Sequence, residues 1–306
     1  MQNIRVLLNV FRPLRWYRNA FMLLGALLAI NITETDISDS FVGILHAFIS
    51  ICLVASGNYG INEVLDVEAD GQHPQKKLRA IPSGKISSAP VVIISIILYA
   101  VGISIVLPSR NITLIISVSL LLLSGVLYNV KPLRLKDKPY MDFIAESFNN
   151  PIRLMVGWYS VATPDKVVPS SFILGFWFLG MFLMASKRFG EYRFFKDKDQ
   201  LVEYRKSFKH YTEERIIISM IASLSAFMFM LGALCIKYSV DLVLFLPFVI
   251  VFIIWFFRLA YEKDTIVKDP ERVFQRKLFL LYSVVVCGLF IYLLFSGNQI
   301  LGFLLK

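Results

Sequence analysis

The chain has 306 residues, of which 57% are hydrophobic and 18% are charged, and its formal net charge is +10. This composition excludes an ordinary soluble domain of that length, which carries fewer apolar and more charged residues. The positive charge does not indicate nucleic acid as a partner either, because there is no basic soluble domain to carry a duplex. The composition is that of a polytopic membrane protein.

Apolar segments recur along the chain at lengths that suit a helix crossing the hydrocarbon core. Nine such spans are predicted, at residues 20–33, 41–61, 91–107, 112–128, 143–162, 170–186, 216–236, 240–258 and 278–297. The fifth is the least regular, because charged residues occupy its first half. We therefore expect an all-α integral membrane protein in which residues 1–306 form a single bundle of nine transmembrane helices.

The basic residues indicate an orientation for this bundle. Lysine and arginine concentrate before the first span and after spans two, four, six and eight, and the alternate connections carry almost none. Short basic loops stay in the cytoplasm. This pattern predicts a cytoplasmic N-terminus, with most polar chemistry in cytoplasmic linkers at 62–88, 128–142 and 187–215. The plasma (inner) membrane is the expected location.

Asn62, Asp66 and Asp70 lie four residues apart where the second span emerges into its linker. Carboxylates at a bilayer boundary are costly, which marks them as a functional site. Residues spaced by four share a face of an α-helix, so one amide and two carboxylates would point into a common space. Mg²⁺ takes one or two protein carboxylates and leaves its other positions to water and phosphate. The motif predicts a site for Mg²⁺ and a pyrophosphate; the alternative is a solvated first turn of a loop.

Positive charge follows this motif closely, at Lys76, Lys77 and Arg79. Glycine and proline end the helix between the two groups, which leaves the cations a short reach from the carboxylates. A phosphate would then meet both metal and cations. For Lys77 alone, the ordinary excess of positive charge in cytoplasmic loops is the preferred explanation.

The start of the fifth span carries a polar stripe at spacings of three or four residues, made of Asp142, Glu146, Asn149 and Arg153. Such spacing places them along one side of a helix. In lipid, a polar stripe must face the interior of the bundle. Arg153 is expected either to pair with Glu146 or Asn149 or to contact a phosphate directly, and its spacing does not decide between the two.

A third polar group, made of Lys187, Arg188 and Glu191, is predicted at the inner boundary of the sixth span. It falls where a repeat of the Asp66 and Asp70 pattern would lie. A basic pair and one carboxylate occupy that place instead of an acidic cluster.

The chain resembles the UbiA-type intramembrane prenyltransferase superfamily over nearly its whole length. The resemblance rests on Arg12-Pro13 with Trp16 and Asn19, the Asn62/Asp66/Asp70 motif, Arg79 with Ile81 to Gly84, and Tyr128 with Lys131 or Lys136. It implies Mg²⁺-dependent binding of a pyrophosphate-bearing donor at the cytoplasmic mouth of a cavity that holds an isoprenoid lipid. Classical members begin the first motif with Asn-Asp, whereas here Glu63 follows Asn62 and keeps the carboxylate.

Within the superfamily, the chain is most similar to the polyprenyl-phosphate (decaprenyl-phosphate) phosphoribosyltransferase branch. Classical members carry a second acidic motif where this chain has Lys187, Arg188 and Glu191, and His73-Pro74 after the first motif also fits the branch. There, phosphoribosyl pyrophosphate is the donor and the lipid is the acceptor. The run from Pro132 to Lys136 instead resembles branches that prenylate glycerol lipids or ring acceptors, so classical prenyl transfer is the alternative. An ion-coupled transporter is remote, because the charges gather at one face rather than at the midplane.

The resemblance also implies roles for individual residues. Asn62, Asp66 and Asp70 would hold the metal, and the two aspartates would act in catalysis. The residues expected to bind substrate are Lys76, Arg79, Tyr128, Arg153, Lys187 and Arg188. Lys136 is expected to meet the donor phosphates, and Asp142 and Glu191 to orient a ribose hydroxyl or serve as a base. Membrane lipids are expected neighbours, and homo-oligomerisation is left open.

Overall fold

The computed structural model describes residues 2–72, 76–195, 197–262, 276–296 and 300–305, and every regular element in these ranges is helical. The expected all-α class is confirmed. His73-Pro74 lies outside the described residues. The α-helices are α1 (Gln2–Phe11), α2 (Met22–Thr33), α3 (Ile37–Leu65), α4 (Val67–Gln72), α5 (Ser88–Val106), α6 (Ile112–Asn129), α7 (Met141–Ser147), α8 (Asn149–Tyr159), α9 (Ser170–Phe194), α10 (Lys198–Tyr204), α11 (Glu213–Lys237), α12 (Leu246–Tyr261) and α13 (Lys277–Leu294). Short 3-10 helices at Pro13–Phe21, Lys76–Leu78, Leu107–Ser109, Leu135–Asp137, Lys206–His210, Val240–Phe245 and Gly302–Leu305 join several of them.

Among the described residues, seven helical segments are long and apolar enough to cross a membrane. They are Ile37–Leu65, Ser88–Ser109, Ile112–Asn129, Ser170–Phe194, Glu213–Lys237, Val240–Tyr261 and Lys277–Leu294. The other two predicted spans form shorter helices, since α2 has 12 residues and the fifth segment divides at Phe148 into α7 and α8. The membrane character is confirmed, and the count of nine and the orientation stay predictions.

The chain divides into two compact units, Met1–Pro169 with Asp199–His210, and Ser170–Lys198 with Tyr211–Lys306. In the first unit, α3 packs against α5 and α6, and α2 packs against α8. In the second, α9 packs along α11.

The packing of α2 on α8 depends on two glycines. A Cβ atom at Gly157 would lie 1.8 Å from the carbonyl oxygen of Met22, and one at Gly25 would lie 2.0 Å from that of Leu154. Small residues allow the backbones of membrane helices to approach this closely. Asn19, which lies three residues before α2 in the 3-10 helix Pro13–Phe21, is thereby within reach of Arg153 on α8.

Helix α3 ends at Leu65 with Asp66 as its C-cap, and this corrects the prediction of one uninterrupted helix through the first motif. Asp66 has φ −104° and ψ 8°, and α4 begins at the next residue. Two hydrogen bonds keep the turn close to helical: Asp66 N donates to Asn62 O at 3.0 Å, and Asp70 N donates to Asp66 O at 2.7 Å. The acidic motif therefore occupies the junction of two helices.

Candidate active site

The structure brings the three residues of the acidic motif together within the first unit. The side-chain amide of Asn62 donates to Asp66 Oδ2 at 3.1 Å. Asp70 is 2% exposed, and burial raises the pKa of its carboxyl group against the opposing pull of Arg79 and Lys76. The Asp66 carboxylate raises that pKa further, as expected of two like charges in one site.

Two cations from the linker after α6 hold Asp66. Arg134 Nη2 donates to Asp66 Oδ1 at 2.9 Å, and Lys136 Nζ donates to the same oxygen. Lys136 is 4% exposed and also donates to Asn129 Oδ1 at 2.8 Å. Burial lowers the pKa of Lys136 to about 8, although Asp66 opposes the change. The structure thus joins Lys136 to the acidic motif, together with an arginine that was not predicted as a site residue.

Two cations that follow Asp70 in the chain, Lys76 and Arg79, stabilise its carboxylate. Arg79 Nη1 donates to Asp70 Oδ2 at 2.5 Å. Lys76 lies close enough to stabilise the Asp70 carboxylate, and its ammonium donates to the Tyr204 hydroxyl. The proximity of Lys76 and Arg79 to the acidic motif agrees with the sequence prediction.

Glu63 links three segments beneath this cluster. Its side chain is almost fully buried, at 1% exposure. Arg12 Nη2 donates to Glu63 Oε2 at 3.3 Å, and the backbone N of Ile81 donates to Oε1 at 3.3 Å. Glu63 therefore ties the end of α1 and the turn after Arg79 to α3.

The polar stripe of the fifth segment meets residues of the Asp199–His210 segment. Ser207 donates to the fully buried Asp142 at 3.0 Å, and Arg205 lies 3.9 Å from the same carboxylate oxygen. Tyr128 donates to Glu146 at 3.0 Å and accepts from Arg205 at 3.1 Å. Asp142 and Tyr128 therefore belong to one polar network.

Arg153 forms a hydrogen bond with Asn19, and not with Glu146 or Asn149 as one of the two predictions had it. Its Nε donates to Asn19 Oδ1 at 2.8 Å, while Asn149 accepts from Ser124 at 2.9 Å and Glu146 from Tyr128. The expected pairing with Glu146 or Asn149 is wrong because the glycine contact between α2 and α8 presents a nearer partner. A contact of Arg153 with phosphate stays a prediction.

The third polar group belongs to the second unit. Arg188 and Glu191 are both buried, and Arg188 Nη1 donates to Glu191 Oε2 at 2.7 Å. Together with Lys187 they lie within α9, which continues to Phe194. An intrahelical ion pair thus forms where classical members of the resembled family carry acidic residues.

The donor chemistry of the acidic motif fits Mg²⁺. Within the described ranges, no group of three or more His, Cys, Asp or Glu residues is placed to hold a metal ion. Two carboxylates and one amide oxygen are nevertheless sufficient for Mg²⁺ when water and substrate phosphate complete its shell. Asn62, Asp66 and Asp70 supply that set, and their cationic neighbours suit the phosphate.

Several residues of the site were not assigned a role from sequence. They are Arg12, Glu63, Arg134, Tyr204, Arg205 and Ser207. Arg134 had a usable signal, because it lies two residues before Lys136 in a basic linker. Arg12 and Glu63 also had one, because they lie in the motifs that carry the family resemblance, whereas Tyr204, Arg205 and Ser207 are recognised only through contacts between segments far apart in the chain.

The helices long and apolar enough to cross a membrane, together with this cluster of carboxylates and cations, define an integral membrane protein with a candidate site for a phosphate-bearing substrate. The chain belongs to the UbiA prenyltransferase family, whose model matches residues 20–281.

The relatives of the chain include two kinds of named enzyme. It is 28% identical over 210 residues to the decaprenyl-phosphate phosphoribosyltransferase of Mycolicibacterium smegmatis, a match covering 67% of this chain and 62% of that protein. The Mycobacterium tuberculosis (H37Rv) protein of the same name is 25% identical over 206 residues, covering 67% and 65%. The digeranylgeranylglyceryl phosphate synthase of Saccharolobus solfataricus is 38% identical over 92 residues, 30% of this chain and 31% of that protein. The match thus spans less than two thirds of each relative.

Solved structures share the fold. A UbiA homolog from Archaeoglobus fulgidus bound to DMAPP and Mg²⁺ has a TM-score of 0.68 and 16% identity, over 96% of this chain and 99% of that one. The same homolog bound to GPP and Mg²⁺ has a TM-score of 0.67 over 92% and 99%. At this identity the likeness concerns the fold alone.

Proposed function

We propose that the protein is a Mg²⁺-dependent transferase that moves the phosphoribosyl group of phosphoribosyl pyrophosphate onto a polyprenyl phosphate. The observation that carries the proposal is that carboxylates and basic side chains alternate and contact one another at the acidic motif. Asp66 contacts Arg134 and Lys136, and Asp70 contacts Arg79. Ligands for a metal and cations for phosphate thus share one cluster.

The reaction breaks the bond between the anomeric carbon and a pyrophosphate oxygen and forms one between that carbon and an acceptor phosphate oxygen. Negative charge grows on the departing pyrophosphate, and positive charge grows on the ribosyl ring. Arg79, Arg134 and Lys136 stabilise the leaving group electrostatically. Asn62, Asp66 and Asp70 would hold Mg²⁺, which when bound would further neutralise the leaving group's charge.

In this reaction Asp142 and Glu191 do not need to act as general bases. An acceptor phosphate attacks through an oxygen that is already ionised, so the step requires no general base. Asp142 is held by Ser207, and Glu191 by Arg188. We infer that they position their neighbours rather than take a proton.

Two observations favour phosphoribosyl pyrophosphate over a prenyl diphosphate as the donor. The 5-phosphate of the former adds negative charge, and the cluster holds basic side chains beyond the pair on Asp66. The relatives that match two thirds of this chain are also named decaprenyl-phosphate phosphoribosyltransferase.

Classical prenyl transfer is the second candidate. It is favoured by the digeranylgeranylglyceryl phosphate synthase relative, whose identity is higher over a shorter stretch. The acceptor would then be a glycerol lipid or an aromatic ring.

A product assay separates the two candidates. Purified protein receives labelled phosphoribosyl pyrophosphate with a polyprenyl phosphate, and separately a labelled prenyl diphosphate with a glycerol-lipid or aromatic acceptor. We expect a lipid-linked ribose phosphate and released pyrophosphate from the first mixture, and neither from the Asp66→Asn variant. A product from the second mixture alone would overturn the proposal.

We also place the site at the cytoplasmic face of the plasma membrane, where basic loops are retained. Inside-out vesicles should then use phosphoribosyl pyrophosphate added from outside, and sealed right-side-out vesicles should not. The reverse result would refute the orientation.

A further inference from the structure

Four arginines gather around Tyr59 on α3, and we name Arg12, Arg15, Arg18 and Arg153 the arginine cluster. The guanidinium carbons of Arg12 and Arg15 lie 5.5 Å and 5.6 Å from the Tyr59 ring centroid. Arg18 and Arg153 also interact electrostatically with Tyr59. The cluster belongs wholly to the first unit.

The Glu146 carboxylate attracts Arg18, whereas no carboxylate among the described residues contributes to the electrostatics of Arg153. Arg153 Nε donates to the neutral amide of Asn19, and the two guanidinium groups repel one another. Among the described residues, Arg18 Nη2 is one of two buried side-chain polar atoms that have no hydrogen-bond partner. A buried donor without an acceptor is destabilising, and a bound anion would supply the missing acceptor.

The arginine cluster also lies far enough from the acidic motif for the two to bind separate phosphate groups. Tyr59 precedes Asp66 by seven residues on α3. At 1.5 Å per residue, this corresponds to about 10 Å along the helix axis. An anion at the arginine cluster would therefore occupy a second site, distinct from the one beside Asp66.

We propose that the arginine cluster binds the phosphate monoester of the lipid acceptor, with Arg18 and Arg153 as its principal contacts. The proposal rests on the proposed function, because it gives the donor pyrophosphate to the acidic motif and the acceptor phosphate to the arginines. Guanidinium groups bind phosphate through paired, charge-assisted hydrogen bonds. The lipid is either a polyprenyl phosphate or a glycerophosphate lipid, since both present the same group.

Lipid binding without turnover tests this site independently of the donor. Wild-type protein in nanodiscs receives labelled polyprenyl phosphate, labelled geranylgeranylglyceryl phosphate or labelled polyprenol, with EDTA and without phosphoribosyl pyrophosphate. Arg18→Gln and Arg153→Gln are compared with Arg18→Lys, which keeps the charge, and with the exposed control Arg110→Gln. Monodispersity and Tm check that each variant is folded.

We expect wild type to bind a lipid phosphate at least tenfold more tightly than polyprenol. Each Gln variant should lose about tenfold or more of this affinity, Arg18→Lys should lose less, and Arg110→Gln should lose none. The phosphate lipid that binds more tightly identifies the acceptor class. Equal binding of polyprenol and lipid phosphate, or unchanged affinity in folded Gln variants, would overturn the proposal. Arginine-dependent binding in a protein that never consumes phosphoribosyl pyrophosphate would uphold the site and refute only the proposed donor.

Discussion

Lys136 donates a hydrogen bond to Asp66, although 70 residues separate them in the chain. Asp66 ends α3, and Lys136 lies in the 3-10 helix Leu135–Asp137. Arg134 approaches the same carboxylate oxygen. The second linker thereby brings its cations to the acidic motif of the first, so the residues proposed to bind phosphate and those proposed to bind Mg²⁺ lie in one cluster.

Replacing Lys136 should impair catalysis more than folding. Lys136→Met removes a buried cation that would face the leaving pyrophosphate, whereas Arg134 still neutralises Asp66. We expect kcat/KM for phosphoribosyl pyrophosphate to fall about 10²-fold, with partial recovery in Lys136→Arg. Steady-state kinetics and Tm of the purified variants measure both effects. Unchanged kcat/KM in Lys136→Met would remove this residue from the site.

Glu63 should act as a structural tie for the site. Glu63→Ala leaves Arg12 without its carboxylate and the buried Ile81 N–H without its acceptor, which should lower the free energy of unfolding by about 2–3 kcal/mol. Glu63→Gln keeps an acceptor for Ile81 and should lose less. Thermal unfolding in detergent reports the difference, and an equal Tm for Glu63→Ala and wild type would contradict the role.

Asp142 should prove to be a positioning residue rather than a general base. Asp142→Asn weakens the contacts with Ser207 and Arg205, so we expect reduced thermal stability and a rate lowered by less than about tenfold. A general base would contribute about 10²–10⁴-fold. Single-turnover rates with a polyprenyl phosphate acceptor make the comparison, with Ser207→Ala as the matched variant. A loss of 10³-fold in Asp142→Asn at unchanged Tm would restore the base assignment.

Much of the fold could be predicted from the sequence, because the length of an apolar run is a local property. Seven of the nine predicted segments form helices able to span a membrane. The break at Asp66 escaped prediction, since regular spacing of Asn62, Asp66 and Asp70 suits a continuous helix as well as a helical junction.

The site residues also divide into those that local sequence reveals and those that only tertiary contacts reveal. The acidic motif was recognisable because charge at a membrane boundary is unusual in itself. The partners of Asp142 and Arg153 were not, because Ser207 and Asn19 reach them only through tertiary packing. For Arg153, spacing along its own helix left pairing with Glu146 or Asn149 open beside a phosphate contact, and Asn19 was not among the candidates because it reaches Arg153 only where α2 packs on α8 at Gly25 and Gly157.

Removal of divalent metal should abolish turnover reversibly. Two aspartates and one amide leave most of the Mg²⁺ shell to the donor and water, so EDTA should extract the ion readily. Activity should vanish in excess EDTA and return when Mg²⁺ exceeds the chelator, without loss of Tm. Turnover that persists in EDTA would exclude the metal from the mechanism.

The central claim is that the acidic motif holds the donor's diphosphate through Mg²⁺, and donor binding tests it most directly. Labelled phosphoribosyl pyrophosphate is titrated onto wild type, Asp66→Asn and the exposed control Asp165→Asn, each with Mg²⁺ and with EDTA. We predict that wild type and Asp165→Asn bind the donor only with Mg²⁺, and that folded Asp66→Asn binds at least tenfold more weakly. Equal affinity in all three proteins, or binding by wild type that is indifferent to Mg²⁺, would contradict the account.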